Sequence, residues 1–505
     1  MKISRRHAVL GSLAGLQPLA GQSTRAVFQI ERWGLFEQAL SASAPGNPFD
    51  IPFTIQFRHG NRTVDTNGFY DGADTFRFRF SPDADGEWSW TTRSTLKDLD
   101  NQTGRFICAP PTGNNHGPVI VRNTSHFAYA DGTKYFPFGT TCYAWNHQLD
   151  ALEEQTLATL RTSGFNKMRM CVFPKWYTYN HGEPPRHPFE KNAKSENDYT
   201  RFNPAFFQHL ETRVGQLRDL GIEADLILFH PYDNWGYQKM APEVDDRYLR
   251  YITARLSAYR NVWWSMANEW DLMKFKTLAD FDRYFRIVQE NDPYQRLRSV
   301  HHSKVMYDHG KPWATHASIQ DDDFSKTQLW LDTFRKPVIY DECKYEGNIP
   351  QRWGNISAEE MTRRFWLAVT AGAYAGHGET YLNTEGWNNE GVLWWSKGGT
   401  LRGQSAPRMA FLRKILEDGP VGGLTPLPNP YYPGAAKTGE YYLFYLDYHQ
   451  PVESDFVLPE NGKFQANIID PWKMAVTPVA GTFTGKTKLK LPGAPYMAVR
   501  FKRIP

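Results

Sequence analysis

The sequence predicts a multidomain α/β protein, a (β/α)8 TIM barrel flanked by an N-terminal and a C-terminal β-sandwich. Three observations predict it. The chain has 505 residues, about twice what one such barrel needs, so a barrel must share the length with other domains. In the middle of the chain short apolar runs alternate with amphipathic segments, the pattern of repeated βα units on a parallel sheet. On either side the period drops to two and Asp-Gly and Pro turns intervene, the pattern of antiparallel strands.

Residues 1–25 place Arg5 and Arg6 after Ser4, ahead of a short, weakly apolar stretch to Leu19. This is the form of a twin-arginine export signal and predicts a periplasmic or secreted protein. No cysteine lies near the expected cleavage region around Ala20, so a lipid anchor has no support. No later segment has the ~18 consecutive apolar residues of a membrane helix. Residues 26–112 carry "PFTIQFRHG", "DTFRFRFSPDADGEWSWTT" and "GRFICAPP", read as the first sandwich. Residues 113–419 hold eight strand candidates: 135–142, 166–173, 222–229, 261–267, 297–302, 314–319, 337–341 and 377–382. Helix candidates lie between them, two closing on Gly164 and Gly221, where a left-handed residue is expected before the next strand. The last helix is expected at about 405–418. No Gly-rich phosphate loop follows the first strand, which argues against a doubly wound open sheet. A Pro/Gly-rich linker leads to residues 420–505, where "EYYLFYLDY", "FQANIIDPW" and "YMAVRFKRI" predict the second sandwich.

A net charge of +4 with no basic run gives nucleic acid or an anionic membrane nothing to hold. Aromatic residues make up 15% of the chain, enough both for large β cores and for rings that stack on sugars. Cys108, Cys142, Cys171 and Cys343 are too scattered for a disulfide scaffold or a zinc site. The sequence leaves the oligomeric state open.

In an α/β barrel the site lies at the C-terminal ends of the strands, so polar residues that end an apolar strand are the first candidates. Glu269 ends the fourth, "VWWSMANE", and Glu342 the seventh, "PVIYDE". Their tips face each other across the barrel mouth. Two carboxyl groups there are what glycoside hydrolysis needs, one to protonate the leaving oxygen and one to attack or to stabilise the oxocarbenium-like transition state. Glu379 in "HGETYLN" competes for the second role, and each glutamate taken singly reads equally as a loop or cap residue. Asp341 is expected on the opposite face of its strand, in a structural role. His230, His301, His302 and His316 sit at other strand ends, where sugar contact, structural hydrogen bonding and metal ligation compete. No HExxH spacing favours a metal, and no cofactor is required. Asp321, Asp322 and Asp323 are expected to cap the next helix. Among the aromatics that follow strands, Trp145, Tyr232 and Trp387 are expected to stack on substrate, while Trp263 and Trp264 pack the barrel. The long insertion after strand two walls the cleft and favours an end-acting enzyme.

"GFNKMRM" on strand two, "MANE" on strand four and "DE" on strand seven resemble the clan A retaining glycoside hydrolases. The front half, "GFYDGADTFRFRFSPDADGEWSW" with "FAYADGTKYFPFGTTCYAW", is similar to bacterial glycosidases in which a β-sandwich of unassigned function precedes the barrel and another β domain follows. The resemblance implies Glu269 as acid/base and Glu342 as nucleophile, with a covalent glycosyl-enzyme and carboxyl groups about 5 to 5.5 Å apart. It also implies that Asn268 holds the sugar 2-hydroxyl and that Arg169 pairs with the nucleophile. The competing expectation from another class is a carbohydrate-binding protein that keeps the cleft without turnover.

Overall fold

The computed structural model describes residues 28–382, 394–428 and 431–505. Eight parallel strands make the central barrel: β1 Gly139–Thr141, β2 Lys167–Cys171, β3 Glu223–Phe229, β4 Val262–Ala267, β5 Arg298–Ser299, β6 Ala317–Gln320, β7 Val338–Glu342 and β8 Tyr374–His377. They pair in the order β5-β4-β3-β2-β1-β8-β7-β6. The seam between β5 and β6 has no ladder among the described residues; there a single backbone bond, Thr315 N to Arg298 O at 2.8 Å, spans the gap. The strands are buried on both faces, which is why they read as near-continuous apolar runs instead of alternating ones.

The outer helices close where expected at Gly164 and Gly221, with φ of 82° and 72°, and the last runs Ser405–Glu417. Two departures matter for the site. Between β5 and β6 residues 300–316 form no helix. The eighth strand begins earlier than expected, because Gly372 (φ 81°) turns the chain directly after the helix Ala358–Thr370. The stretch Glu379–Thr380 has left the barrel by then and pairs with Glu346–Gly347.

A hairpin, Val119–Arg122 with His126–Tyr129, closes the N-terminal end of the barrel. Its Phe127 ring lies 5.2 Å from Trp263 and 5.8 Å from His316. His316 is fully buried there, away from the mouth, so the sugar contact expected of it is not possible.

The N-terminal region stacks a five-stranded on a three-stranded sheet around Phe57, Phe78, Phe80, Trp88 and Phe106. A buried ionic network ties it to the barrel helices. Arg79 and Arg255 share the Glu211 carboxylate at 2.7 and 2.5 Å, and Arg255 also reaches Asp71 at 2.7 Å. Burial pushes the Glu211 pKa up, but Arg255 and Arg79 outweigh it and hold it at about 2. That lies below the ordinary value of about 4.3, so its contribution is complete above about pH 4.3 and is lost as pH falls toward 2. Glu211→Gln is expected to cost roughly 3–5 kcal/mol, since two guanidinium groups lose their shared counter-charge. Thermal melts from pH 6 to 2.5 would check it: the variant melts lower at neutral pH and loses less on acidification.

At the other end, a six-stranded and a two-stranded sheet pack over Phe444, Phe456, Phe464 and Phe501. Arg363 reaches back from the barrel helix to Asp447 at 2.5 Å. The four cysteines are buried and unbridged, and no helix among the described residues is long and apolar enough to cross a membrane.

Candidate active site

Lys167 and Arg169 alternate on β2 and so point the same way, into the barrel. Lys167 Nζ meets Asp225 on β3 at 2.7 Å and Asp341 on β7 at 2.8 Å, and Arg169 meets the same two carboxylates at 3.3 and 3.1 Å. Because β7 is not a neighbour of β2, the two pairs to Asp341 cross the lumen. Two cations and two anions balance in a layer just below the mouth, the arrangement that burial of charge demands. Burial raises the Asp341 pKa, but Lys167 and Arg169 outweigh it and hold it well below the carboxylate range. Asp341 is thus structural as expected, but it lies inside the barrel instead of on the outer face. Arg169 also departs from expectation. Its guanidinium is engaged by Asp225, Asp341 and, at 3.4 Å, Asn268 Oδ1, and among the described residues it forms no ion pair with Glu342.

Above this layer the two glutamates are joined by a chain of side chains. The Tyr143 hydroxyl donates to Glu342 Oε1 and lies 3.1 Å from Asn268 Oδ1. Asn268 Nδ2 then donates to Glu269 Oε2 at 3.3 Å, the oxygen that also accepts from the Tyr232 hydroxyl. His301 Nε2 stands 3.4 Å from Glu342 Oε1, and its Nδ1 lies 3.1 Å from Ser318 Oγ. With its amide turned to satisfy both ends, Gln320 donates to Glu269 Oε1 at 3.3 Å and to His302 O at 2.7 Å. Glu269 adopts φ 49°, ψ 56°, a left-handed backbone uncommon outside glycine and held by the packing around it.

The two carboxyl groups are driven apart in acidity. Burial raises the Glu269 pKa and the Glu342 charge raises it further, while Tyr232, His301 and Lys175 pull the other way without winning. Burial also pushes Glu342 up, but His301, the Tyr143 hydrogen bond and the Arg169 charge bring it down to about 2. The carboxyl that holds its proton more tightly therefore faces the one that gives it up more readily, the ordering that acid-assisted displacement requires.

Of the other expected residues, Tyr232 and Asn268 meet at Glu269, and His302 meets Gln320 through its backbone carbonyl. His302 also lines a cavity of about 470 Å³ together with Glu342, Gln320, Asp321, Tyr345 and Trp353. Its Nδ1 has no partner among the described residues. His230 does not face the cleft: its Nδ1 accepts from Tyr232 N at 3.1 Å and its Nε2 meets Phe173 O at 3.0 Å. It fixes the loop that carries Tyr232. Trp145 is fully buried with Nε1 on Met170 Sδ at 2.8 Å, part of the core and no sugar platform. Trp387 lies outside the described residues. Burial pushes the Glu379 pKa up to about 7, yet its two oxygens accept from Arg402 N and Gly403 N at 2.6 and 2.7 Å. Glu379 caps the approach to the last helix. Asp323 caps the turn Phe324–Lys326, as expected. One group of metal-ligand type, Asp150, Glu153 and His209, occurs among the described residues, but Arg213 already supplies its counter-charge at 2.6 Å from Glu153.

Sequence reasoning missed Tyr143, Gln320, Tyr345 and Lys175. A signal existed for Tyr143: continuing β1, Gly139, Thr141 and Tyr143 share one face, and the 3-10 turn Trp145–His147 breaks that alternation before Trp145. Tyr143→Phe removes a hydrogen bond that lowers the Glu342 pKa. The acid limb of kcat/KM is expected to move to higher pH, and kcat to fall about 10- to 100-fold; a pH–rate profile of the variant would check both.

The model of the family described as "Apiosidase-like, catalytic domain" matches residues 121–421. The chain belongs to the apiosidase-like catalytic domain family. This membership carries the enzyme class read from the sequence, a glycosidase. On either side of the apiosidase-like barrel, two domains of unknown function, DUF5060 and DUF5605, match residues 29–95 and 431–502. A solved candidate glycoside hydrolase from Bacteroides vulgatus ATCC 8482 is 40% identical, with a TM-score of 0.89 over 94% of this chain and all of that one. A family 5 glycoside hydrolase from the same organism is 13% identical, with a TM-score of 0.59 over 77% of this chain and 94% of that one, a likeness of fold alone. Among curated proteins, none matches the sequence.

Proposed function

We propose that the protein is a retaining glycoside hydrolase that cleaves O-glycosidic bonds of a poly- or oligosaccharide by double displacement. The single observation that carries this reading is the opposed acidity of Glu269 and Glu342 across one hydrogen-bonded chain. In the first step Glu269 gives its proton to the leaving oxygen while Glu342 attacks the anomeric carbon. Asn268, which touches both networks, holds the sugar 2-hydroxyl, a contact that tightens in the transition state. Once Glu342 is an ester its negative charge is gone. That charge was one of the two causes raising Glu269, so the same group becomes a stronger acid, ionises, and can take a proton from the incoming water. Burial keeps Glu269 a weak acid, and the state of its partner tunes that acidity between the two steps.

The cavity beside Glu342 has room for a short piece of glycan rather than a long chain, which supports action from a chain end. We propose export by the twin-arginine segment, whose residues lie outside the described ones.

The test is stereochemical. Proton NMR of the reaction in the first minutes, on the aryl glycoside or oligosaccharide that the enzyme turns over best, reads the anomer formed before mutarotation. Retained configuration is expected; inverted configuration would overturn the assignment of Glu342 as nucleophile.

A further inference from the structure

The mechanism uses both glutamates, Asn268 and the two tyrosines, but leaves one buried cation without a task. Lys175 follows β2 and is 4% exposed. Its Nζ lies 3.8 Å from the centroid of the Tyr143 ring, 4.7 Å from Trp395, 4.8 Å from Tyr232 and 5.2 Å from Tyr177. Two of these rings are the ones whose hydroxyls hold Glu342 and Glu269. The ammonium therefore packs directly against both rings that hold the two carboxyl groups.

Among the described residues Lys175 has no carboxylate or carbonyl partner within hydrogen-bond distance. Other buried cations in this barrel do: Lys167 has Asp225 and Asp341, Lys276 has Asp245, Arg255 has Glu211 and Asp71. The faces of aromatic rings attract a cation but do not replace the three oxygen acceptors that an ammonium group takes in water. Neither glutamate lies within hydrogen-bond distance to supply them. Glu342 Oε1 is held by Tyr143 and His301, and the two Glu269 oxygens by Tyr232, Asn268 and Gln320. Burial accordingly lowers the Lys175 pKa, against the opposing pull of Cys171, Glu269 and Glu342. An uncharged sugar would be served by the amides, hydroxyls and imidazoles already present, and a methionine would line the cage without the desolvation cost. What the cage lacks is an anion.

We propose that Lys175 is the specificity-determining residue of the subsite that holds the sugar being cleaved, and that this sugar is a uronic acid whose carboxylate pairs with the Lys175 ammonium. The inference rests on the glycosidase reading for the location of that subsite. The four rings then take a second role, shielding the ion pair from water and packing on the apolar face of the sugar.

Binding and turnover test it separately. Glu342→Gln protein is titrated calorimetrically with D-glucuronate and D-galacturonate, and with D-glucose and D-galactose at the same concentrations. At least one uronate is expected to bind 30-fold or more tightly than its neutral counterpart. Carrying Lys175→Met in the same background is expected to erase that difference. In the wild type, kcat/KM for a p-nitrophenyl glycuronide is expected to exceed that for the matching neutral glycoside by 100-fold or more, with Lys175→Met losing it through KM. A wild-type protein that binds neutral sugars as well as uronates, or binds neither, overturns the proposal with no variant needed. So does a Lys175→Met enzyme that loses both substrate types equally. Uronate binding that depends on Lys175 in an enzyme without turnover would uphold this inference and sink the hydrolase reading instead.

Discussion

Glu342→Gln is expected to reduce kcat on the order of 10^4-fold or more, about 5 kcal/mol of transition-state stabilisation. The substitution keeps the shape of the side chain and an oxygen that can accept from Tyr143, so the fold should stand while the attacking carboxylate is gone. The lost charge also removes one cause of the raised Glu269 pKa. The smaller Glu342→Ala leaves space at the anomeric carbon. Added azide should restore turnover of an activated aryl glycoside in this variant and give a glycosyl azide of inverted configuration. Circular dichroism confirms folding, and mass and NMR analysis of the azide product identify the nucleophile. Wild-type rates in either variant would remove Glu342 from the role.

Glu269→Gln is expected to behave differently, because its cost depends on the leaving group. With a poor leaving group such as an alkyl or sugar alcohol, the loss should be on the order of 10^2- to 10^4-fold. With a dinitrophenolate, which departs without a proton, the first step is nearly untouched and the second becomes limiting. KM should then fall together with kcat as glycosyl-enzyme accumulates. The pH profile carries the same information with a definite sign. Glu269 works in the first step as the protonated form of an acid whose pKa is raised, so kcat/KM falls as pH rises through that value, and this basic limb disappears in the variant. Glu342 must be ionised and titrates near pH 2, which places the acid limb far below neutrality. A basic limb that survives in Glu269→Gln would assign the acid elsewhere.

The barrel was legible in the sequence because parallel strands are buried on both faces and therefore write themselves as apolar runs, and because glutamates that end such runs stand out. What was not legible depends on contacts between distant segments. Strand alternation placed Asp341 on the far side from Glu342, but the lumen supplied two cations from β2, and the pairing turned Asp341 inward. The same layer took Arg169 away from Glu342. After β1 the sequence points to Trp145 as a stacking ring, whereas a hydroxyl within reach of a carboxylate, that of Tyr143, is what this position uses. His230 and His316 were indistinguishable from His302 by local sequence; only the carbonyl of Phe173, the plug ring Phe127 and the open cavity separate the three. Glu379 missed the barrel because Gly372 turned the chain early.

The unlaced seam between β5 and β6 bears on how this scaffold diversifies. His301 follows β5 after one intervening residue and Gln320 ends β6, so the side chains that meet Glu342 and Glu269 come from the two banks of the seam. A continuous ladder passes an insertion on to its neighbours as a register shift, whereas a single backbone bond between the banks passes on little. Lineages of this fold can therefore lengthen, shorten or exchange the segment at 300–316 while the remaining strands keep their pairing. Selection for a new glycan would find its readiest raw material there, beside the two carboxyl groups and outside the continuous ladder of the sheet.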